Sequence, residues 1–377
     1  MTQQSVVFLT SSHSPFDDRI LYHLATSLSI EYHVFIIATT ENVNQNVGNI
    51  ELIGCDGMDL TKRAKIDYFF KKLNEISPSI IISSDPLPIL AASRYRKAHE
   101  AVIIYDVTEW YPSKKNLQNF TGIKKVSVFF KLLIFNLFVS FLVDGFLFGE
   151  YYKSLPYKLL FFYKRMAMVS YYPDLSYIKY TKANLSNHKI CLGYTGQISI
   201  EKGIKNLVDA TRTIKNKRPD LNVKLKIIGW FNDKTAETGF NDLIKQLRDV
   251  EIELLGRQKF EEFSEKIQDV DIFFDLREID MENTHCLPIK LFYYAACGRP
   301  VIYSNLKAIK RVIEVEQFGY LVDPSDANLI ADYILGYTNH PFTYYRHCTM
   351  ARTLAEKKYN WKLIEPTFIN FIKHLRN

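Results

Sequence analysis

Short runs of β-branched and aromatic residues recur along the chain, and segments with helical spacing separate them. In the first half these runs are residues 5–11, 32–39, 49–54, 78–85 and 101–107. Near-continuous apolar strands that alternate with helices are typical of a parallel sheet covered on both faces. The pattern therefore predicts one doubly wound α/β domain in this half.

The same pattern restarts near residue 189. The later runs are residues 188–196, 222–229, 250–256, 270–276, 299–304 and 318–324. We therefore expect two Rossmann-like domains, one over residues 1–170 and one over 189–358, with a linker over 171–188. A final helix over 359–377 would return to the first domain. Two such domains place the carboxyl ends of their strands across a cleft, where ligands bind.

The composition agrees with a globular protein of two domains. Hydrophobic residues make up 47% and charged residues 24% of the 377 positions, which is an ordinary balance. The formal net charge of +7 is too small to predict nucleic-acid binding. The five cysteines are widely spaced and include no CxxC pair, so neither a disulfide framework nor a zinc site is predicted. The opening residues lack a basic segment followed by a long apolar run, and we expect a cytoplasmic location.

The most apolar segment covers residues 124–148. Lys131, Asn136 and Asp144 interrupt it, which leaves fewer than the roughly 20 apolar residues that span a bilayer. Residues 124–165 carry seven Lys or Arg against two acidic residues. One interpretation is an amphipathic helix on an anionic membrane surface, at the inner face of the cytoplasmic membrane. The other is a buried crossover helix of the first sheet.

The stretch Leu192–Ala210 begins as a strand, breaks at Gly196 and Gly203, and continues with helical spacing. Backbone N–H groups at the start of this helix and the Lys202 ammonium would then lie at the carboxyl edge of a sheet. A diphosphate is favoured there by helix dipole and charge together. The alternative is a solvated lysine at a helix start.

Five segments resemble, in order and spacing, the C-terminal domain of family-4 glycosyltransferases, which have the two-domain GT-B fold. They are GYTGQISIEKGIKNLVDA, NVKLKIIGW, VEIELLGRQKFEEF, LPIKLFYYAACGRPVIYSN and FGYLVDPSDANLIADYI. The resemblance implies transfer of a sugar from a UDP- or GDP-linked donor to a glycan or polyprenyl-linked acceptor, in bacterial capsule, O-antigen or exopolysaccharide synthesis. It also implies retention of anomeric configuration without a metal or other cofactor, because Lys and amide groups neutralise the leaving diphosphate.

The resemblance assigns donor binding to the second domain. The donor-binding candidates are Gly196, Gln197, Lys202, Gly229, Arg257, His285, Lys290, Leu291 and Tyr293. Family members have an Arg or similar group at the position of Gln197, and two glutamates at those of His285 and Tyr293. An amide can still donate a hydrogen bond, but it lacks the guanidinium fork that suits phosphate. Glu282 is the nearby candidate to supply a catalytic carboxylate.

In the first domain the segment YDVTEWYP retains part of an Asp-x-His-Glu pattern. Asp106 and Glu109 are candidate catalytic carboxylates, although carboxylates at strand ends also cap helices. Thr108 stands where family members have a His near the transferred sugar. The acceptor-binding candidates are His13, Asp18, Arg19 and Thr108. The alternative for His13, Asp18 and Arg19 is a helix-capping group with a surface arginine.

Other reaction classes lack their motifs. The Asp269–Asp271 DVD motif precedes a strand and lies at the wrong edge of its sheet, so no metal site is predicted. No GxGxxG follows a strand, and P-loop, HExxH and GxSxG motifs are absent from the sequence. A glycosyltransferase is the prediction. Two alternatives remain open: a noncatalytic subunit that partners an active glycosyltransferase, favoured by the replaced motif residues, and a nucleotide-sugar epimerase with the same fold.

Overall fold

The computed structural model describes residues 4–57, 59–109 and 111–376, without the side chains of Lys115 and Arg376. These residues form two compact units. Unit 1 contains the described residues up to Tyr171 together with those from Lys362 onward, and unit 2 is Tyr172–Trp361. Residues 172–188, expected as a linker, are thus grouped with unit 2. Each unit contains a twisted sheet with helices, so the predicted mixed α/β class is confirmed.

The described part of unit 1 has an eight-stranded sheet with the order β3-β4-β2-β1-β5-β6-β7-β8. The strands are β1 (Ser5–Thr10), β2 (His33–Ala38), β3 (Val43–Val47), β4 (Ile50–Gly54), β5 (Ile80–Ser83), β6 (Val102–Val107), β7 (Gly145–Phe148) and β8 (Arg165–Met168). All neighbours are parallel except β3 and β4, which are antiparallel. The sequence pattern missed β3 because it is a polar edge strand, β7 because it continues the apolar run of the helix before it, and β8 because its four residues include no β-branched or aromatic side chain.

The helices of unit 1 follow most strands. They are a π-helix at Asp18–Ala25, α1 (Thr26–Leu28), α2 (Lys62–Ile76), α3 (Pro86–Arg96), α4 (Lys114–Leu117), α5 (Gly122–Phe141) and α6 (Tyr151–Leu160). The apolar segment 124–148 is therefore two elements, because it contains most of α5 and the whole of β7. Over residues 4–57, 59–109 and 111–376, no helix combines the length and apolar content needed to cross a bilayer.

The sheet of unit 2 has six parallel strands in the order β11-β10-β9-β12-β13-β14. The strands are β9 (Lys189–Gln197), β10 (Asn222–Trp230), β11 (Val250–Leu255), β12 (Ile272–Asp275), β13 (Val301–Ser304) and β14 (Gly319–Val322). The helices are α7 (Ile204–Lys217), α8 (Lys234–Ile244), α9 (Phe260–Lys266), α10 (Met281–Thr284), α11 (Lys290–Ala296), α12 (Lys307–Val312), α13 (Ala327–Asn339) and α14 (Pro341–Lys357). Short 3-10 turns lie at Leu175–Tyr177 and Val315–Gln317.

The central strand β9 shows why its sequence is a continuous apolar run. Ile190 and Leu192 enter the core on one face of the sheet, and Cys191 enters the core on the other. Successive side chains of a strand point to opposite faces, so a strand covered on both sides needs apolar residues at every position. β9 is therefore buried along most of its length, and its loop begins where this burial ends.

The final helix, α15 (Trp361–Arg376), packs on unit 1. A Cβ placed on Gly145 would come 2.9 Å from atoms of both Phe371 and Leu375, so the helix lies directly on β7. Lys373 also pairs with Glu31 at 2.7 Å. The last segment of the chain thus completes the unit that contains the first.

Candidate functional site

The loop after β9 in unit 2 is held against the end of β12. Gly203 precedes α7 with φ 88°, a left-handed conformation that favours glycine. A Cβ there would come 2.2 Å from the main-chain carbon of Leu276, so only glycine permits the close approach. The side chain of Lys202 is 29% exposed, and its ammonium lies 3.9 Å from the Glu201 carboxylate. Lys202 is therefore placed at the carboxyl edge of the sheet.

A buried ion cluster lies beside this loop. Asp275, the last residue of β12, is fully buried and receives two hydrogen bonds from Arg277, at 2.7 and 2.5 Å. The Lys290 ammonium lies 2.9 Å from the same carboxylate. Burial raises the pKa of Asp275, but the charges of Arg277 and Lys290 outweigh burial and hold it well below its usual value. Asp275 is therefore an ionised anchor for both cations.

Lys290 connects this anchor to the end of β9. Its Nζ donates to the Thr195 carbonyl at 2.6 Å, and a Cβ on Gly196 would come 3.3 Å from the same Nζ. Burial lowers the pKa of Lys290, Asp275 raises it, and Arg277 and Lys202 lower it, so the net direction is down. The Lys202 charge thus acts on the Lys290 ammonium group. Arg277 and Lys290 place two cations on the single carboxylate of Asp275, a surplus of positive charge that suits a diphosphate.

Three further donor candidates lie at the same edge. Gly229 of β10 is in register with Gly196, and a Cβ on it would come 1.9 Å from the Gly196 carbonyl oxygen. Gln197 ends β9 and is opposite Trp230. The guanidinium of exposed Arg257 lies 4.3 Å from the centre of the Trp230 ring. The ends of β9, β10 and β11 are thus close together.

The remaining candidates of unit 2 have different surroundings. Leu291 and Tyr293 lie in the core, where the Tyr293 ring meets Phe260 and Phe263 edge-on at 5.9 and 6.2 Å. Glu282 lies in α10, and its N–H donates to Asp280, the cap of that helix. His285 follows α10, with Nδ1 2.9 Å from the Met281 carbonyl. Leu291 and Tyr293 thus contribute to the core of unit 2.

In unit 1, His13 lies where β1 and β6 end. Its Nε2 is 3.3 Å from the Thr108 hydroxyl, and its Nδ1 is 3.4 Å from the Asp17 carboxylate. Burial lowers the pKa of His13, but Asp17, Asp85 and Glu109 outweigh burial and raise it to about 9. His13 and Thr108 are thus brought together, with exposed Glu109 close enough for its charge to act on the ring.

Arg19 and Asp106 form an ion pair in the interior of unit 1. Arg19 donates to both carboxylate oxygens of Asp106, at 2.7 and 2.8 Å, and to the Val169 carbonyl at 2.8 Å. Both side chains are almost fully buried. The alternative of a surface arginine is therefore wrong. Asp18 also serves the chain locally, because its carboxylate accepts from the Arg19 N–H at 2.9 Å.

Sequence reasoning missed three charged residues at these edges. Asp85 follows β5 and accepts from the Thr10 hydroxyl at 3.0 Å and from the backbone of Ser11 and Ser12, so it shapes the loop that precedes His13. In unit 2, Asp275 accepts hydrogen bonds from Arg277 and pairs with Lys290, so it holds the Lys290 ammonium group in place. Both aspartates end an apolar run in the sequence, SIIISSD and VDIFFDL. In both cases the sequence signal that could have identified the residue is a carboxylate at the end of a buried strand.

The comparisons with known proteins agree with this geometry. Residues 189–340 match the family model described as Glycosyl transferases group 1. That range includes the whole β9 edge and the Lys290 cluster. The chain is a glycosyltransferase with the GT-B fold. No curated protein matches it by sequence.

Solved structures similar to this glycosyltransferase share its fold at low sequence identity. Sucrose-phosphate synthase from Thermosynechococcus elongatus has a TM-score of 0.77 and 15% identity, with 99% of each chain covered. Anabaena Alr3699/HepE in complex with UDP-glucose has a TM-score of 0.69 and 12% identity, covering 98% of this chain and 99% of its own. An Escherichia coli structure bound with UDP-2-fluoro glucose has a TM-score of 0.66 and 11% identity, with 99% of each chain covered. At these identities the likeness establishes the fold.

Proposed function

We propose that this glycosyltransferase moves a sugar from a UDP- or GDP-linked donor to a glycan or polyprenyl-linked acceptor in bacterial surface-polysaccharide synthesis. Unit 2 would bind the donor and unit 1 the acceptor. The acceptor would be met at the inner face of the cytoplasmic membrane. The observation that carries the proposal is the Lys290 ammonium group beside Gly196, with Lys202 close enough for its charge to act on it.

The chemistry of sugar transfer explains why these cations matter. When the bond between the sugar and the diphosphate breaks, negative charge grows on the departing phosphate oxygen. Preorganised cations stabilise that charge most strongly where they need no rearrangement. Lys290 is fixed by Asp275 and by the Thr195 carbonyl, so its position is set before the donor binds. We propose that these ammonium groups and the Gln197 amide neutralise the diphosphate without a metal or another cofactor.

Two solved structures of the same fold support the choice of donor. One contains UDP-glucose and another UDP-2-fluoro glucose. In unit 1, protonated His13 and the Thr108 hydroxyl would donate hydrogen bonds to the acceptor, and Glu109 would accept one. Because the Asp106 carboxylate is already paired with Arg19, we assign it to positioning the β6 edge. We propose retention of the anomeric configuration, as the resemblance to family 4 implies.

Donor binding and hydrolysis test the proposal. UDP or GDP is expected to raise the melting temperature of the wild-type protein, since a ligand of the native state alone stabilises it. Lys290→Ala and Lys202→Ala are each expected to weaken diphosphate binding by about tenfold, the worth of one charge-assisted hydrogen bond. Lys205→Ala is the control, because Lys205 is exposed on α7 and pairs with Asp209.

Two results would count against parts of this proposal. If neither diphosphate shifts the wild-type melting temperature, the donor assignment is wrong. If the diphosphate binds through Lys290 but UDP- and GDP-sugars are neither hydrolysed nor transferred, the noncatalytic subunit is the better function.

A further inference from the structure

Helix α5 carries a polar pair, Asn136 and Ser140, on its inner face and a row of large apolar residues on its outer face. Its inner face includes Asn136, which donates to the Tyr157 hydroxyl at 2.8 Å, and Ser140, whose hydroxyl donates to the Asn136 carbonyl at 2.7 Å. Its outer face carries an exposed stripe made of Ile123, Val126, Phe130, Ile134, Phe138 and Phe141. Ile123 is 89% exposed and Ile134 is 65% exposed. The reverse arrangement is normal for a surface helix of a globular protein.

The spacing of the stripe makes it continuous. Its members are separated by three or four residues, so they lie on one side of the helix along its whole length. A contiguous apolar patch of this kind marks a protein or membrane interaction surface. Single exposed apolar residues would need no such explanation.

A second group of apolar side chains is held at the end of this stripe. Leu159, Phe162 and Tyr163 are exposed, with Phe162 at 81%. Lys164 ties their segment to α5, because its ammonium donates to the carbonyls of Ser140, Phe141 and Val143 at 2.6 to 2.9 Å. The Phe141 and Phe161 rings also meet at 4.9 Å. The stripe and these three residues therefore form one surface, which we call the apolar face.

Positive charge borders the apolar face. Lys124 and Lys131 are exposed on α5, and each follows a residue of the stripe, so both lie along one side of it. The acidic residues of the region are engaged elsewhere, since Asp144 pairs with Arg96 at 2.8 Å and Glu150 pairs with Lys153 at 2.7 Å. Lysine side chains can lay their methylene stems along apolar surface while the ammonium reaches lipid phosphates. The border thus fits an anionic lipid surface.

We infer that the apolar face inserts into the interface of an anionic phospholipid bilayer, with α5 lying in the membrane plane. The choice of lipid rests on the proposed polyprenyl-linked acceptor and on the bordering lysines. A second copy of the chain fits less well, because a two-fold contact through the same face would bring the like-charged lysine borders together. Interfacial helices of this type combine apolar burial with attraction to anionic lipid.

Sedimentation of the full chain with vesicles tests the inference without donor or acceptor. The wild-type protein is expected to pellet with phosphatidylglycerol-containing vesicles at low salt and much less with pure phosphatidylcholine. The double variant Ile134→Asp with Phe138→Asp is expected to lower the partition coefficient at least about tenfold through lost apolar burial. Phe342→Asp is the matched control, since Phe342 is 80% exposed on α14, outside the apolar face.

Insertion itself is measured with Phe138→Trp. Its fluorescence is expected to shift to shorter wavelength with anionic vesicles and to be quenched by brominated lipid chains. The inference is wrong if the wild-type protein stays in the supernatant with anionic vesicles, or if Phe342→Asp weakens pelleting as much as the double variant. It is also wrong if light scattering shows that the wild-type protein is a dimer and the double variant a monomer, while neither protein binds vesicles. UDP melting shifts, measured separately, report on the donor proposal and are expected to be the same in all these variants.

Discussion

At the scale of single residues, the site of unit 2 depends on a carboxylate to which the family resemblance assigns no role. Asp275 accepts hydrogen bonds from Arg277 and lies within ion-pair distance of Lys290, all at the end of β12. A buried charge left without its partner is costly, whereas a complete buried cluster contributes mainly geometry. Asp275 is therefore a positioning residue for the ammonium group that would meet the donor.

Asp275→Ala is expected to lower the free energy of unfolding by about 3–5 kcal/mol, because Arg277 and Lys290 would remain buried without their carboxylate. Urea unfolding followed by circular dichroism measures the change. Asp332→Ala is the control: its partner Lys217 lies on the surface, and the expected loss is about 0–1 kcal/mol. Similar losses for the two variants would show that the Asp275 cluster is not anchored as described.

His13 predicts a pH dependence in unit 1. Its pKa is raised from 6.5 to about 9, so the folded state holds a proton that the unfolded chain releases near pH 6.5. The stabilisation is therefore fully present below pH 6.5 and is lost as the pH rises through about 9. Urea unfolding at a series of pH values should show this decline, and His13→Gln should remove it. An unchanged pH profile in His13→Gln would assign the decline to another group.

At the scale of elements, two strands meet at the candidate donor site with no room for a side chain. Gly229 on β10 faces the main chain of Gly196 on β9. The chain thereby brings the end of β10 against the end of β9, where the Lys290 ammonium donates to the Thr195 carbonyl. Glycine is needed here for its size, since another backbone approaches it closely.

Gly229→Ala is expected to force β9 and β10 apart, to lower the free energy of unfolding by about 1–3 kcal/mol as an overpacked site does, and to weaken diphosphate binding. Gly239→Ala is the matched control: nothing lies within 4 Å of its added Cβ on helix α8. Alanine in a helix interior should raise stability by about 0.5–1 kcal/mol. Chemical denaturation and UDP titration distinguish the two, and normal UDP binding by Gly229→Ala would contradict the tight packing.

At the scale of the whole molecule, the chain completes its first unit with its last helix. The contacts of Phe371 and Leu375 near Gly145 and the Lys373–Glu31 pair join α15 to residues far away in sequence. The stability of unit 1 should therefore depend on the carboxyl-terminal residues.

Phe368→Ala is expected to destabilise unit 1 by about 3–5 kcal/mol, because its fully buried ring would leave a cavity. Hydrogen exchange should show weaker protection in the strands of unit 1 and unchanged protection in β9 and β10. Lys373→Ala serves as the surface control and should leave both units as protected as in the wild-type protein. Equal loss of protection in both units would show that α15 supports more than unit 1.

The sequence predicted all six strands of unit 2 and the central strands of unit 1, and it missed β3, β7 and β8 of unit 1. Strands such as β1, β2 and β5 are buried on both faces, so burial forces an uninterrupted apolar run that is visible in the sequence. The edge strand β3 is polar, and β7 continues the apolar run of α5, so neither produces a pattern of its own. The boundary between α5 and β7 depends on packing that local periodicity cannot reveal.

What the sequence determined by itself is the doubly wound architecture and the likeness of residues 189–335 to a glycosyltransferase, because strand periodicity and motif spacing are local properties. The tertiary structure decided which charged groups meet. It paired Arg19 with Asp106, joined Lys290 to Asp275, and left Phe130, Phe138 and Phe141 of α5 exposed. These outcomes depend on residues tens of positions apart, and only the folded chain determines whether a charge is paired in the interior or left for a ligand.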